Sequence, residues 1–532
     1  MRVLARLILW PRTTWCQVLI VLAGCLGVVL VERTSRADLI YFRKGGDAQL
    51  PATVEGNRVV LAMPEGKIEL FREDLVKLVP GFWPGTEWES HRREARTGGF
   101  AARYAAVWWA MENGLTTEVA AELRELHAMD PKHGPTARMV ALLDRLDRPC
   151  DDPEMAAFRA ALGIETKVAR GPHVVLLHQH SEAEAGERVA LLERVLAGFH
   201  LLFAAQGIEL RVPRHRLVSA WFADRKDYLA FLHQQDADAF VTTSGYFHPT
   251  WDAVVAYDAR SGEKQRAARD ALAARREELR RLAEAIDRMP ARGRLRVKLA
   301  DEPARGVGRA EGQAIIDRLE REAAYRTALL DLDWRAIDLG TAAHEMIHQL
   351  AADSGLVPRH DAFSYWMHEG FAAQFEVIRG GRWAGISRAH DLRLPDWRKV
   401  QTPVGLERLV RDAGFGRGYQ RDLYAQAWAL VYYLRTQRPQ EFLTFIDLLR
   451  NPDADSDGGA MLQGARGERV FNAFRRSFGP DLDGLERDWH RFMAGVQTPL
   501  EQYAPTSNPA SKPGLIESKT RPPMPHTIRS EN

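Results

Sequence analysis

Two histidines and a glutamate occur at a spacing that suits a metal ion in the stretch "TAAHEMIHQL", residues 341–350. His344 and His348 are four residues apart, so on a helix they lie on one face within reach of a single ion. Zinc binds imidazole nitrogens and needs three protein ligands if a fourth position is to hold water. Glu345 is rotated away from direct ligation, but it is near enough to take a proton from the bound water. The stretch therefore predicts a hydrolytic Zn2+ site.

A third ligand must come from another part of the chain. The metzincin arrangement requires a glycine and a histidine shortly after the second ligand, and Ala351 and Ser354 occupy those places. The stretch "YWMHEGFAAQFE", residues 365–376, instead resembles the glutamate-bearing helix of the gluzincins, the thermolysin and aminopeptidase N superfamily. This resemblance implies that Glu369 is the third zinc ligand.

The same resemblance suggests further site residues. Gluzincins of this branch carry a tyrosine that polarises the scissile carbonyl or its oxyanion. The segment "GYQRDLYAQAWALVYYL", residues 418–434, resembles the helix that bears this tyrosine, which implies Tyr424 in the role and Tyr419 as the alternative. His368 and Glu376 are lesser candidates for the third ligand. His368 is more simply explained as a buried polar residue, and Glu376 as a hydrogen-bond partner of a ligand.

The resemblance extends over residues 165–495, although the motif similarity is confined to residues 341–376 and, more weakly, to 419–434. As a whole, this region resembles peptidase-MA-like domains of unknown function that occur in secreted multidomain proteins. It implies a gluzincin-like metallopeptidase domain with a mainly helical C-terminal half.

Several further segments surround this domain, and the whole pattern predicts an α+β multidomain fold. Short β-branched segments between glycine turns predict a small SH3-like β-module at residues 38–80. Helical patterns predict a TPR-like segment at 84–150. From about residue 165, strands precede helices, and a charged helical insertion is expected at about 259–310. Residues 497–532, with seven prolines, are expected to be disordered.

The overall charge argues against a nucleic-acid partner. The chain has 73 basic and 71 acidic residues and a formal net charge of +2, so no overall field attracts a polyanion. Arginines are frequent in residues 259–290, but acids alternate with them and no aromatic platform accompanies them. Cys150 is the only cysteine beyond the N-terminal segment, which excludes an internal disulfide in a processed chain.

The N-terminus carries a targeting pattern. Three arginines precede an uncharged apolar run at residues 15–31, and "SRA" follows it. This order favours a secretory signal peptide that ends at Ala37. An uncleaved membrane anchor is the main alternative, and a lipoprotein attached through Cys25 is a third reading. In each case the chain is expected to be exported, as a periplasmic or extracellular protein or one anchored to the cell membrane.

Together these patterns predict an exported zinc-dependent peptidase in which Glu345 is the general base. Its expected partners are a peptide or protein substrate and a protein bound by the TPR-like segment, and membrane contact is expected only through the N-terminal segment. The alternative belongs to another class: a cell-envelope scaffold with a catalytically silent zinc domain. The complete ligand set and the intact Glu345 argue against that alternative, since a silent descendant is free to lose the glutamate.

Overall fold

The computed structural model describes residues 38–504, except for 44–46, 64–65, 82–83, 298–304, 358–363, 387–388, 413, 416–419 and 451–462. The predicted signal peptide or anchor, residues 1–37, and the predicted tail from residue 505 onwards lie outside the described residues. Among the helices that are described, none is both long and apolar enough to span a membrane.

The architecture is α+β, which confirms the predicted fold class. The described strands are β1 (Asp38–Phe42), β2 (Asp47–Leu50), β3 (Ala52–Glu55), β4 (Arg58–Met63), β5 (Gly66–Phe71), β6 (Leu75–Val79), β7 (Lys167–Arg170), β8 (Val174–His178), β9 (Leu217–Phe222), β10 (Gly245–His248), β11 (Ala253–Tyr257), β12 (Leu295–Val297), β13 (Arg305–Val307), β14 (Ile378–Arg379) and β15 (Arg382–Trp383). The described α-helices are α1 (Pro84–Thr97), α2 (Gly99–Glu112), α3 (Ala120–Met129), α4 (Gly134–Leu146), α5 (Ala156–Ala161), α6 (Glu182–Ala205), α7 (Arg225–Gln234), α8 (Glu263–Asp287), α9 (Arg309–Asp353), α10 (Tyr365–Ala372), α11 (Arg393–Arg398), α12 (Leu406–Val410), α13 (Arg421–Gln437), α14 (Pro439–Arg450), α15 (Gln463–Phe478), α16 (Leu482–Gly495) and α17 (Pro499–Tyr503).

A five-stranded sheet forms the centre of the molecule, in the order β10-β11-β9-β8-β7. Strands β8, β9 and β11 run parallel, and the two edge strands β7 and β10 run antiparallel to their neighbours. Helices α6 and α9 pack on one face and α7 on the other, so both faces are covered. This explains why β8 and β9 read as continuous apolar runs and are buried throughout.

The N-terminal β-module consists of two antiparallel three-stranded sheets, β2-β1-β6 and β3-β4-β5. Its core residues include Ile40 and Phe42, and this core continues into Tyr325 and Leu329 of α9. The rings of Phe42 and Tyr325 stack with their centroids 4.9 Å apart. The module is therefore packed on the middle of α9.

Helices α1 to α4 lie in the segment that was predicted to be helical. Helix α4 of this segment packs on α6 of the central domain. Leu201 and Ala205 of α6 belong to the same apolar core as Leu123, Leu126 and Met139 of this segment. A short helical array buries too little apolar surface by itself, and α6 supplies the missing surface.

Helix α9 is 45 residues long, which corresponds to about 67 Å. Its first half pairs with α8 in an antiparallel hairpin, and its second half contains His344 and His348. The predicted insertion at about 259–310 thus ends where this helix begins, at Arg309, and the helix joins the insertion directly to the zinc-binding segment. No proline interrupts the helix between Arg309 and Asp353.

The expectation of disorder from residue 497 onwards is wrong for residues 497–504. The short helix α17 lies here, and Thr498 and Glu501 form a reciprocal capping box at its start. The carbonyl oxygen of Leu500 accepts a hydrogen bond from the Tyr41 hydroxyl, and that of Tyr503 accepts one from Lys77. These contacts with the β-module hold residues 497–504 in a defined conformation, although their composition alone indicated disorder.

Helix α10 lies unusually close to α13 at Gly370, the residue after Glu369. A Cβ atom at Gly370 would come within 2.5 Å of the Ala427 carbonyl oxygen and 2.9 Å of Val431 Cγ2. We expect Gly370→Ala to lower the free energy of unfolding by about 1–3 kcal/mol, because the two helices must move apart. Denaturant unfolding of the purified variant measures this change.

Gly186 provides the matched control, because it is also helical and a Cβ there would meet no atom within 4 Å. Gly186→Ala should raise the free energy of unfolding by up to about 1 kcal/mol, since alanine is the better helix former. Equal effects of the two substitutions would contradict the close packing of α10 on α13.

Candidate metal centre

The HEMIH segment is fixed by burial on several sides of α9. Ala343, Met346, Ile347 and Leu350 are at most 1% exposed and belong to the main apolar core. Gly340 allows the helix to approach the backbone of the segment after α10, since a Cβ there would lie 2.9 Å from the Glu376 carbonyl oxygen. The two histidines are thus held on a rigid helix whose neighbours permit little movement.

His344, His348 and Glu369 come together at the contact between α9 and α10. Their potential ligand atoms all lie within 4.8 Å of one another. Glu369 Oε2 is 3.1 Å from His344 Nε2 and 3.7 Å from His348 Nε2. Zinc bonds of 2.0–2.1 Å in a tetrahedral arrangement give ligand–ligand distances of about 3.3 Å. The donor set and the spacing therefore suit a zinc ion.

Glu376 holds the imidazole of His344 in the orientation that a metal ligand requires. His344 Nδ1 lies 3.1 Å from Glu376 Oε2 and donates to it, and Nε2 faces Glu369. Arg393 donates to both carboxylate oxygens of Glu376, and His390 Nε2 lies 2.9 Å from Oε1. Partners of this kind orient a histidine ligand and raise its basicity.

His348 has a different environment. The ring of His368 lies against it, with the centroids 3.9 Å apart. His348 Nδ1 is buried, and no hydrogen-bond partner for it occurs among the residues that the structure describes. Contact with the tilted ring of His368 therefore orients this second imidazole, whose Nε2 faces Glu369. Burial and, to a lesser extent, the nearby His348 lower the pKa of His368 to about 3, so His368 packs as a neutral ring.

A carboxylate from a distant segment caps the N-terminus of α10. Asp412 accepts hydrogen bonds from Ser364 Oγ at 2.8 Å, from the Tyr365 amide at 2.9 Å and from the Trp366 amide at 3.0 Å. A negative charge at a helix N-terminus is favourable. Asp412 adopts a positive φ of 61°, which is uncommon for a residue other than glycine. This cap fixes the short helix that presents Glu369.

Glu345 lies on a different face of α9 from the two histidines, as the sequence predicts. Thr341 precedes Glu345 by one helical turn, and a Cβ at Gly245 of β10 would lie 3.0 Å from Thr341 Cγ2. The face that carries Glu345 is therefore turned towards the edge strand β10. Burial raises the pKa of Glu345, although His344 and His348 oppose this effect.

The pKa values of the carboxylates and of His344 in the cluster are shifted, because these groups are buried next to one another. Burial raises the pKa of Glu369 and of Glu376, but cationic partners outweigh it, and both pKa values lie well below the usual range. The largest opposing contribution comes from His348 for Glu369 and from Arg393 for Glu376. Burial lowers the pKa of His344, and its two carboxylate partners raise it well above its ordinary value.

Tyr424 lies on α13, and the contacts that lead from it to the cluster run through two other side chains. The guanidinium of Arg393 lies 5.6 Å from the centre of the Tyr424 ring, and Arg393 binds Glu376, the partner of His344. The alternative tyrosine, Tyr419, lies outside the described residues.

Three residues of this site were missed from the sequence: His390, Arg393 and Asp412. They follow Glu376 by 14 residues or more and occur in irregular or short helical segments without a recognisable motif. No local pattern could have indicated them, because their roles arise from contacts between distant segments.

Residues 338–452 match the model of a family described as "Protein of unknown function (DUF1570)". The match covers about a fifth of the chain, and it contains the three candidate ligands together with Glu345, Glu376 and Tyr424. None of the curated proteins compared with the chain matches it. The similarity therefore includes the whole side-chain cluster and supplies no activity for it.

The contacts of Glu376 lead to a prediction about metal affinity. We expect Glu376→Gln to weaken zinc binding by about 10- to 100-fold, because a neutral amide supports the His344 imidazole less strongly than a carboxylate. Competition with a chromogenic chelator measures this affinity.

Glu122→Gln is the control, because Glu122 is also buried and ion-paired, with Arg103, but lies in the helical segment α1–α4. It should leave zinc affinity unchanged. Unchanged affinity in Glu376→Gln, or an equal loss in both variants, would show that Glu376 does not support the metal ligand.

Proposed function

We propose that this chain is a zinc-dependent peptidase of the gluzincin type. The observation that carries the proposal is the convergence of His344, His348 and Glu369, with Glu345 one residue after the first histidine. Two imidazole nitrogens and one carboxylate oxygen form a set of three protein ligands, which is typical of zinc sites that hydrolyse and not of closed structural sites.

In this proposal, His344 and His348 bind zinc through Nε2, and Glu369 binds it through a carboxylate oxygen. Glu376 keeps the proton of His344 on Nδ1, which leaves the Nε2 lone pair available. When bound, zinc would lower the pKa of a water ligand and polarise the substrate carbonyl. The apolar core behind α9 and α10 limits the water that could compete at the site.

Glu345 is proposed as the general base. Its carboxylate accepts a proton from the attacking water and later returns that proton to the amine nitrogen that leaves when the peptide C–N bond breaks. A carboxylate whose pKa is raised by burial is better matched to both transfers than an exposed one. No covalent intermediate with the chain is needed.

The edge strand β10 is the proposed support for the substrate. Among the residues that the structure describes, β10 pairs with β11 alone, and the face of α9 that carries Glu345 lies next to it. An extended peptide can add to an exposed strand edge through backbone hydrogen bonds. A peptide in this position would present a backbone carbonyl near Glu345, whatever its side chains. The role of Tyr424 as oxyanion donor stays a prediction from the sequence resemblance.

Glu345→Gln tests the proposed chemistry, because it preserves the size of the side chain and removes the base. We expect the variant to bind zinc as the wild type does and to cleave a peptide library or casein about 100- to 10,000-fold more slowly. Cleavage is measured in zinc-loaded protein with and without a chelator.

Glu320→Gln provides the control on the same helix, since Glu320 is exposed and lies about 37 Å along α9 from Glu345. It should retain full activity. Cleavage by Glu345→Gln at the wild-type rate would contradict the role of Glu345 as the general base. A wild-type protein that binds zinc and cleaves nothing supports the silent scaffold instead.

A further inference from the structure

The hairpin of α8 and α9 ends in a small ribbon of two antiparallel strands, β12 and β13. One face of the ribbon packs on the hairpin's own apolar core, in which Val297 and Val307 contact Ile286 and Ile316. The opposite face carries Arg296, paired across the ribbon with Gly306. The side chain of Arg294 extends over Gly306 and donates to its carbonyl oxygen.

Positive charge is concentrated at this end of the hairpin. The described residues here, 288–297 and 305–309, contain six arginines and no acid, whereas the whole chain has a net charge of only +2. Arg292, Arg294 and Arg296 are exposed, and none of them forms an ion pair with any residue that the structure describes. Arg305 pairs with Glu311, and Arg309 donates to backbone carbonyls, so these two support the fold.

This end of the hairpin, with Arg292, Arg294 and Arg296, is called the tip. Several arginines in the rest of α8, unlike these three, pair with acidic residues. Arg275 pairs with Glu278, and Arg280 and Arg281 both pair with Glu277. The charges along the helix therefore neutralise each other locally. At physiological salt, exposed charges act over about 8–10 Å, so the unpaired arginines at the tip form a distinct positive surface.

The β-module contacts the same long helix that leads to the tip. The β-module is packed on α9 at Tyr325, and 16 residues of helix, about 24 Å, separate Tyr325 from Arg309. This module begins at Asp38, directly after the apolar N-terminal segment that is expected to direct export or to anchor the chain. If residues 15–31 are anchored in a membrane, only the six residues 32–37 separate that membrane from the β-module, which is packed on the helix that leads to the tip.

We infer that the end of the α8–α9 hairpin, formed by Arg292, Arg294 and Arg296, is a docking surface for a membrane of anionic phospholipids. The exposed guanidinium groups fit phosphate oxygens, which they bind through paired N–H donors. Residues 288–297 and 305–309, the described part of this end, include no aromatic side chain on which nucleic-acid bases could stack, which favours lipid phosphates over a nucleic acid. This contact is additional to the N-terminal segment and independent of the proposed peptidase activity. Its effect would be to hold the metal site at a fixed orientation to the membrane.

Vesicle sedimentation with a chain of residues 38–532 tests the inference, because every described element lies after residue 37. The wild-type chain should bind vesicles that contain phosphatidylglycerol and not vesicles of phosphatidylcholine alone. We expect Arg292→Gln combined with Arg296→Gln to lower the partition coefficient about 25-fold, which corresponds to roughly 5-fold for each arginine removed.

Arg280→Gln combined with Arg281→Gln is the matched control, since it removes the same charge from paired positions about 10 Å from the end of α8. It should change vesicle binding less than about 2-fold, because the two positions lie about a Debye length away. Equal losses in the two variants, equal binding to both kinds of vesicle, or binding of duplex DNA without binding of vesicles would overturn the inference. A failure of peptide cleavage would not affect it.

Discussion

The need to neutralise several carboxylates within a confined space dominates the centre of this protein. Glu345, Glu369 and Glu376 converge where α9 meets α10 and the residues after it, and among the described residues only Arg393 contributes a permanent positive charge in direct contact with them. Enclosed carboxylates are costly unless cationic groups compensate them. The imidazole of His344 faces two of these carboxylates through Nδ1 and Nε2, and a divalent cation would supply the compensation more completely.

The surrounding fold is arranged around the helix that carries the two histidines. One end of α9 contributes to the hairpin, its middle packs on the β-module, and its last turns form the metal cluster. Glu369 is positioned separately, by the Asp412 cap at the N-terminus of α10 and by the close contact of Gly370 with α13. The two halves of the ligand set thus depend on different parts of the core, and a disturbance of either half should separate them.

The parts of this account that rest on short-range patterns could be predicted from the sequence. The spacing of His344 and His348 and the helical period around them depend on one helix, so local residues suffice to indicate them. Glu369 followed from the resemblance of one further short stretch. The α+β class followed in the same way, from the order of strand and helix patterns.

The parts of this account that rest on contacts between distant segments could not be predicted from the sequence. His390, Arg393 and Asp412 reach the site from segments without a periodic pattern, and their partners precede them by 14 to 48 residues. The order of residues 497–504 arises from docking on the β-module, which composition does not reveal.

Metal content per molecule is the most direct test of the central claim that α9 and α10 together form a zinc site. The purified chain, loaded with zinc and freed of excess metal, should retain about one zinc ion per molecule. Glu369→Ala should retain far less while keeping its near-ultraviolet circular dichroism. A wild-type chain that retains no zinc, or a folded Glu369→Ala variant that retains as much as the wild type, would contradict the account.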